Sequence, residues 1–215
     1  MQLSGESIKA QAAEAVRAMI MEGTLEDGAR INEVRLAARL GVSRTPLREG
    51  LSQLVVEKMV RAAPRRGFFV CEFSIDEFQQ LYDTRPLLDP AALKAAGLPA
   101  EAQIVHLEAL NGKFLNARSA ARAAGLDEEW HLALLSHSKN DVLMDLVRNV
   151  MMRMRRYEAA LFRETRAIRN SNDEHAEILA ALRREDLDGA CLALARNVQS
   201  GRAEMLDWLS ARKRS

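Results

Sequence analysis

Apolar positions recur at helical spacing along almost the whole chain, with one interruption. Over residues 7–22, Ile8, Ala12, Ala15, Val16, Met19 and Ile20 share one face while Lys9, Glu14, Arg17 and Glu22 lie outside. That pattern predicts a packing helix, stopped by Gly23. Glu26-Asp27-Gly28 reads as a turn. Asn32-Glu33 opens a short helix with Leu36, Ala37 and Leu40 inward, closed by Gly41 in a left-handed cap. Ser43 is the expected N-cap of the next helix, which tolerates Pro46 in its first turn and runs to about Lys58. Leu47, Leu51, Leu54 and Val55 form its buried stripe. The interruption is Met59–Cys71, where β-favouring residues flank Pro64-Arg65-Arg66-Gly67 and predict two short strands joined by a basic tip.

From Ser74 onward the pattern is helical only. Ser74 and Glu77 form a capping-box start, followed by an apolar stripe of Phe78, Leu81, Tyr82 and Leu88. Pro86 and Pro90 are expected to break this helix. Turns are predicted near Gly97-Leu98-Pro99, at Ala124-Gly125, at Lys139-Asn140-Asp141, over residues 169–172 and at Asp186–Gly189. About six or seven helices in an antiparallel bundle follow. Met144, Met151, Met152 and Met154 read as adaptable core packing.

Composition agrees with a mainly α, soluble chain: of 215 residues, 48% are hydrophobic, 28% charged and only 5% aromatic. Cys71 and Cys191 stand in unrelated contexts, which argues against a disulfide framework and suits a reducing cytoplasm. No signal pattern or long charge-free apolar run predicts membrane insertion. The net charge of +1 conceals an asymmetry. Between Arg30 and Arg66 nine basic residues accompany three acids, leaving −5 for the rest of the chain. A segment so basic is the footprint of contact with a polyanion.

Within that segment Arg44 and Arg48, four apart, project from one helix face, opposite the leucine stripe. A helix, a glycine turn, a second helix fronted by arginines and hydroxyls, and a basic hairpin together make a winged helix-turn-helix that reads DNA. Residues 12–72 resemble the winged helix of the GntR family of bacterial transcriptional regulators. The resemblance runs through Glu22-Gly23-Thr24-Leu25, Ile31-Asn32-Glu33, Leu36-Ala37 and Leu40 to Glu49, then Leu51, Leu54, Pro64, Arg65, Gly67 and Val70. Asp27 stands where Pro is usual. Gly50 stands where Ala is usual, which lowers helix propensity by about 1 kcal/mol. The resemblance implies DNA contacts by Ser43, Arg44, Thr45 and Arg48 and by Gly67 at the wing. Arg35, one position from the family's usual arginine, and Arg65 and Arg66 are further candidates. Arginine can bond a guanine edge bidentately, whereas hydroxyls and helix-start N–H groups suit phosphates.

In the second half, Asp127 and His131 are four apart and can point at one ion, with His175 on a later helix and Asn197 beyond it. From spacing alone this is a weak signal, and a polar helix face is the stronger reading. Residues 74–208 resemble the all-helical effector domain of FadR-like GntR regulators, through Tyr82-Asp83-Thr84-Arg85, Asp127 to His131, Ser136 to Leu143, Glu174 to Leu182 and Asp186 to Ala190. The resemblance implies a divalent transition metal, such as zinc or nickel, held by Asp127, His131 and His175, with Asn197 where a fourth ligand is usually His. It also implies a small organic-acid effector above the metal, with Arg85 and Asn197 as candidate contacts. Arg85 has an alternative partner in Asp89. The run Arg148, Arg153, Arg155, Arg156, Arg163, Arg166 and Arg169 reads as a solvated face or inter-domain surface, or as charge for an anionic effector. His106 and His137 are assigned no role.

The domains are then residues 1–72, a winged helix-turn-helix, and residues 73–215, an all-α antiparallel bundle for effector binding and dimerisation. The expected function is a cytoplasmic, ligand-responsive regulator, a repressor acting as a homodimer on a palindromic operator, with no membrane partner. Two other classes remain open: an architectural DNA-binding protein with an inert bundle, and a metal-dependent hydrolase. The second lacks an evident general base beside the three candidate ligands.

Overall fold

A computed structural model of the protein describes residues 7–164 and 167–212, with the side chain of Glu164 also outside the description. The chain divides into two compact units, Met1–Phe73 and Ser74–Ser215.

In the first unit α1 (Ile8–Met21), α2 (Glu33–Leu40) and α3 (Arg44–Val56) precede an antiparallel hairpin of β1 (Val60–Ala63) and β2 (Gly67–Val70). Local chemistry sets each boundary. Asn32 accepts from the Arg35 N–H to cap α2, and Gly41 closes it at φ 66°. Leu47, Leu51 and Leu54 are fully buried, and α3 packs on α1, where Ala12, Ala13 and Val16 are buried. Two positions on α1 depart from the pattern reading. Ile8 is exposed, and Arg17, expected outside, is buried. The Arg17 Nε and Nη2 donate to the Glu57 carboxylate at 2.9 and 2.7 Å, and Nη1 binds Glu14. Arg17 thereby clamps the end of α3, through a partner 40 positions away that no local periodicity can announce.

Gly50 is the second surprise. A Cβ there would sit 2.9 Å from the Lys9 carbonyl oxygen and 3.0 Å from the Ala13 nitrogen. The glycine lets the α3 backbone close on that of α1, so its propensity loss is accompanied by tighter helix packing.

The second unit is a helical bundle of α4 (Ile75–Ala96), α5 (Glu101–Leu115), α6 (Ala120–Leu134), α7 (Asp141–Glu164), α8 (Ala167–Arg183), α9 (Leu187–Asn197) and α10 (Arg202–Arg212). Among the described residues it contains no strand. Phe78, Phe114, Trp130 and Tyr157 are its largest fully buried side chains. Four expected breaks or turns need correction. Pro86 and Pro90 lie inside an unbroken α4. Each removes one helical N–H at a cost of about 3 kcal/mol, but Phe78, Leu81, Tyr82, Arg85, Asp89, Ala92 and Leu93 bury one continuous face of that helix and hold it together. Ala124-Gly125 lies mid-α6, where Gly125 leaves space for the Arg155 guanidinium, 3.0 Å from where a Cβ would be. Residues 169–172 are helical in α8, and the polar Asn172 there reaches across to the Asn111 carbonyl oxygen. The turn expected at Asp186–Gly189 falls at Arg184 and Glu185, with Asp186 as the N-cap of α9.

The arginine run is not a uniform solvated face. Arg153 and Arg156 are drawn onto Glu77, which also accepts from the Tyr157 hydroxyl at 2.9 Å. Burial raises the Glu77 pKa, but these donors outweigh it and hold the carboxylate low. Glu77 is thus unavailable for the reciprocal half of the capping box, and the Ser74 N–H donates to the Tyr157 hydroxyl instead. Arg148 pairs with Asp145 in solvent, and Arg166 lies outside the described residues.

Candidate functional site

Two sets of candidate residues are held by the two units. In the first, Ser43 occupies the N-cap position of α3 in extended conformation, yet its hydroxyl makes no capping bond. Ser43, Arg44, Thr45 and Arg48 are all exposed on that helix start. Arg35 is exposed in the first turn of α2. At the hairpin tip Arg65 adopts a left-handed φ of 61°, followed by exposed Arg66 and by Gly67 at φ 88°. The phenylalanines of β2 support the cations: the Arg61 guanidinium lies 4.4 Å from the Phe69 ring centroid, and Arg66 stands 5.6 Å from it.

Glu33, read from sequence as part of the start of α2, links these parts. Its carboxylate lies 3.5 Å from the Arg48 Nε, and also 3.5 Å from where a Cβ on Gly67 would stand. It therefore lies between the front of α3 and the wing.

In the second unit α6 contributes Asp127 and His131, α8 contributes His175, and the last residue of α9 is Asn197. All four are buried. One ligand atom from each of Asp127, His131 and His175 lies within 4.8 Å of the others. The His175 Nε2 is 3.5 Å from Asp127 Oδ1, and the His131 Nε2 is 3.8 Å from Oδ2. These contacts are not ion pairs. Burial, then the charge of Arg85, lowers His175 to about 3 and His131 well below its usual value, so both imidazoles are neutral. Burial likewise raises Asp127 to about 7.

The orientation of His175 is fixed from behind. Its Nδ1 lies 3.0 Å from Asn111 Oδ1, while the Asn111 amide donates to the Asn172 carbonyl oxygen. Asn111 Oδ1 is thus the acceptor, Nδ1 carries the proton, and Nε2 keeps its lone pair toward Asp127. Trp130 stacks on the imidazole at 3.8 Å and 7°. Neither Asn111 nor Trp130 was singled out from sequence.

A cavity of about 310 Å³ opens onto these groups, walled among others by Arg85, Asp127, His131, Glu158, Glu174 and Asn197. The two open readings of Arg85 both apply. It lines the cavity, and its Nε and Nη2 donate to Asp89 at 3.1 and 2.9 Å while Nη1 donates to Glu158 at 2.8 Å. Burial raises Glu158 to about 8 despite that guanidinium. The Asn197 amide donates to Glu174 Oε2 at 2.9 Å, which leaves its Oδ1 buried and without a hydrogen-bond partner.

Similarity to known proteins agrees with this division. Residues 8–70 match the model for bacterial regulatory proteins of the gntR family, and residues 80–200 match the FCD domain. The Nta operon transcriptional regulator of Aminobacter aminovorans is 35% identical over 167 residues, covering 74% of this chain and 77% of that protein. The chain belongs to the GntR family. As a GntR regulator with an FCD effector domain, it is a DNA-binding transcriptional regulator and not an enzyme. Escherichia coli McbR is 29% identical over 186 residues, covering 80% of this chain and 81% of that protein. The solved E. coli McbR/YncC structure has the same fold at a TM-score of 0.76, with 24% identity over 95% of this chain and 99% of that one. A GntR regulator from Rhodococcus sp. RHA1 follows at 0.73, with 23% identity over 94% and 99% of the two chains. Among the described residues no helix is long and apolar enough to cross a membrane.

The donor set fits a divalent transition ion. A carboxylate and two neutral imidazoles are the ligand types such ions take, and the buried His175 Nε2 otherwise has no partner.

Proposed function

We propose that the chain is a metabolite-responsive repressor, cytoplasmic, that binds a palindromic operator as a homodimer and releases it when a small organic acid enters the FCD cavity. Ser43, Arg44, Thr45 and Arg48 read the DNA, with Gly67, Arg65 and Arg66 at the wing and Arg35 on a phosphate. One winged helix spans a half-site, so a two-fold dimer suits a palindrome. Repression has precedent in the Gluconate operon transcriptional repressor of Bacillus subtilis, 36% identical over 87 residues that cover 40% of this chain and 35% of that one.

Asp127, His131 and His175 hold a divalent ion such as zinc or nickel. A bound ion would supply the positive charge that an acid effector needs at a wall otherwise rich in carboxyls. Asn111 and Trp130 fix His175, and Arg85, held by Asp89 and Glu158, carries the position of α4 to the cavity. Asn197 presents its amide oxygen there. An effector that binds one arrangement of the bundle better than another shifts the population toward it. The observation that carries the reading is the convergence of Asp127, His131 and His175, whose Nε2 has no hydrogen-bond partner, beside the FCD-domain cavity that Asp127 and His131 line.

The test is operator binding by gel shift. Arg44→Ala and Arg48→Ala should each abolish specific binding with the fold intact. Unchanged affinity in both sinks the assignment of the reading face. For the second unit, the purified protein should contain about one ion per chain, lost on His131→Ala. Metal-free protein indifferent to chelator removes the ion from the reading.

A further inference from the structure

The wall of the FCD cavity has a composition at odds with a purely anionic ligand. Among the described residues lining it or packed directly behind, the guanidinium of Arg85 is set against five carboxyls: Asp89, Asp127, Glu158, Glu174 and Glu204. Arg85 already spends three N–H bonds on Asp89 and Glu158. A divalent ion at Asp127, His131 and His175, together with Arg85, offsets the carboxyls beside them and leaves Glu174 and Glu204, which line the same cavity with Asn197.

Hydrogen-bonding capacity points the same way. Glu174 accepts from the Asn197 amide and, at 2.8 Å, from the Ser200 hydroxyl, so these two donors are turned onto it. The Tyr82 hydroxyl is turned onto the Ser200 carbonyl oxygen at 3.2 Å. Asn197 Oδ1, on a side chain only 7% exposed, is left at the cavity as an acceptor with no partner. An unpartnered buried acceptor is unfavourable by itself, and the arrangement becomes favourable when a ligand brings a donor. A neutral polyol would satisfy the acceptor but not the charge; an ammonium group satisfies both.

We infer that the effector carries a protonated amine, lodged against Glu174, Asn197 Oδ1 and Glu204, and is therefore a small zwitterion of the amino-acid type rather than a simple organic acid. This rests on the reading of the cavity as an effector site. Its acid group is directed to Asp127, His131 and His175 and its ammonium to Glu174, Asn197 and Glu204. A cavity of about 310 Å³ is at the small end of ligand pockets and suits a compact molecule.

The experiment compares ligands that differ only in amine against hydroxyl: L-serine against glycerate, and ethanolamine against ethylene glycol. Binding to the full-length protein in the presence of Zn²⁺ is read by calorimetry and thermal shift. The amines should bind at least tenfold tighter than their hydroxyl counterparts, and Glu204→Gln and Glu174→Gln should each remove that preference. Glu204 is exposed on α10, so its replacement tests the subsite with little risk to folding. Equal or tighter binding of the hydroxyl compounds, absence of amine binding, or a preference that survives both substitutions overturns the inference. Operator affinity is measured alongside. A hydroxy acid that releases DNA independently of Glu174 and Glu204 overturns the amine subsite and leaves the effector reading standing. Operator affinity indifferent to every compound and to chelator overturns that reading itself.

Discussion

His175 is aimed at Asp127 by Asn111, whose Oδ1 lies 3.0 Å from the imidazole Nδ1. Asn111 is on α5 and His175 on α8, and the reciprocal amide–carbonyl bonds between Asn111 and Asn172 hold those helices in register. The acceptor behind a ligating imidazole typically influences metal affinity by about 10–100-fold. Asn111→Ala should therefore weaken metal binding by about that factor, and Asn111→Asp, which keeps an acceptor, by less. Competition with a chromophoric chelator measures it. A fall in melting temperature with unchanged metal affinity of the folded protein would reduce Asn111 to a helix clasp.

The pH dependence of metal binding follows from which ligand holds a proton. Burial lifts Asp127 to about 7, and the imidazoles, lowered by the same burial, are already neutral well below that pH. Below pH 7 an incoming ion must displace the Asp127 proton; above it there is none to displace. Apparent affinity should then rise about tenfold per pH unit up to pH 7 and flatten beyond. Calorimetry in buffers of different ionisation enthalpy should find about one proton released per ion at pH 6 and close to none at pH 8. Release of two or three protons near pH 6 would mean that the histidines titrate normally.

What the sequence made legible is what local chemistry decides. Asn32, Gly41 and the Pro64–Gly67 tip each fix a boundary through neighbours a few residues away, so the winged helix could be read almost residue by residue. Arg17, Arg156 and His175 were harder because their partners lie 40, 79 and 64 positions away. Pro86 and Gly125 were misread as breaks for a related reason. Their local signal is real, but burial of a whole helix face overrides one lost N–H, and the space beside Gly125 is explained by Arg155 on another helix. The three candidate metal ligands were legible through family resemblance, while the acceptor-rich wall around them became visible only once α4, α7, α8 and α10 were assembled.

Gly50 gives a prediction with opposing contributions. Replacement by Ala, the family's usual residue, gains about 1 kcal/mol of helix propensity. It also pushes a methyl to 2.9 Å from the Lys9 oxygen, which is backbone and cannot rotate away. Overpacking typically costs about 1–3 kcal/mol, so Gly50→Ala should be net destabilising by up to about 2 kcal/mol, read by urea denaturation. Operator affinity of the folded variant should be unchanged, because Gly50 is on the buried side of α3, away from Arg44 and Arg48. A more stable variant would mean that α1 shifts freely to admit the methyl.

Glu33 tests how the reading face is held. Its carboxylate engages Arg48 at 3.5 Å from α2 and abuts the wing at Gly67, so it restrains the arginine that is expected to read a base. Arg48 is half exposed, and an ion pair of that kind contributes at most about 1 kcal/mol to stability. Its larger influence is on specificity. Without Glu33 the guanidinium is free to turn to any phosphate, and removing a negative charge from the DNA face strengthens sequence-independent attraction. Glu33→Ala should therefore leave the melting temperature nearly unchanged and tighten binding to random-sequence DNA. The ratio of operator to random affinity should fall, by about tenfold for the loss of about 1.4 kcal/mol of discrimination at one base contact. Fluorescence anisotropy on both DNAs at one fixed salt concentration gives that ratio directly. A ratio that holds while both affinities rise together would assign Glu33 to electrostatics alone, and would mean that the helix frame orients Arg48 without it.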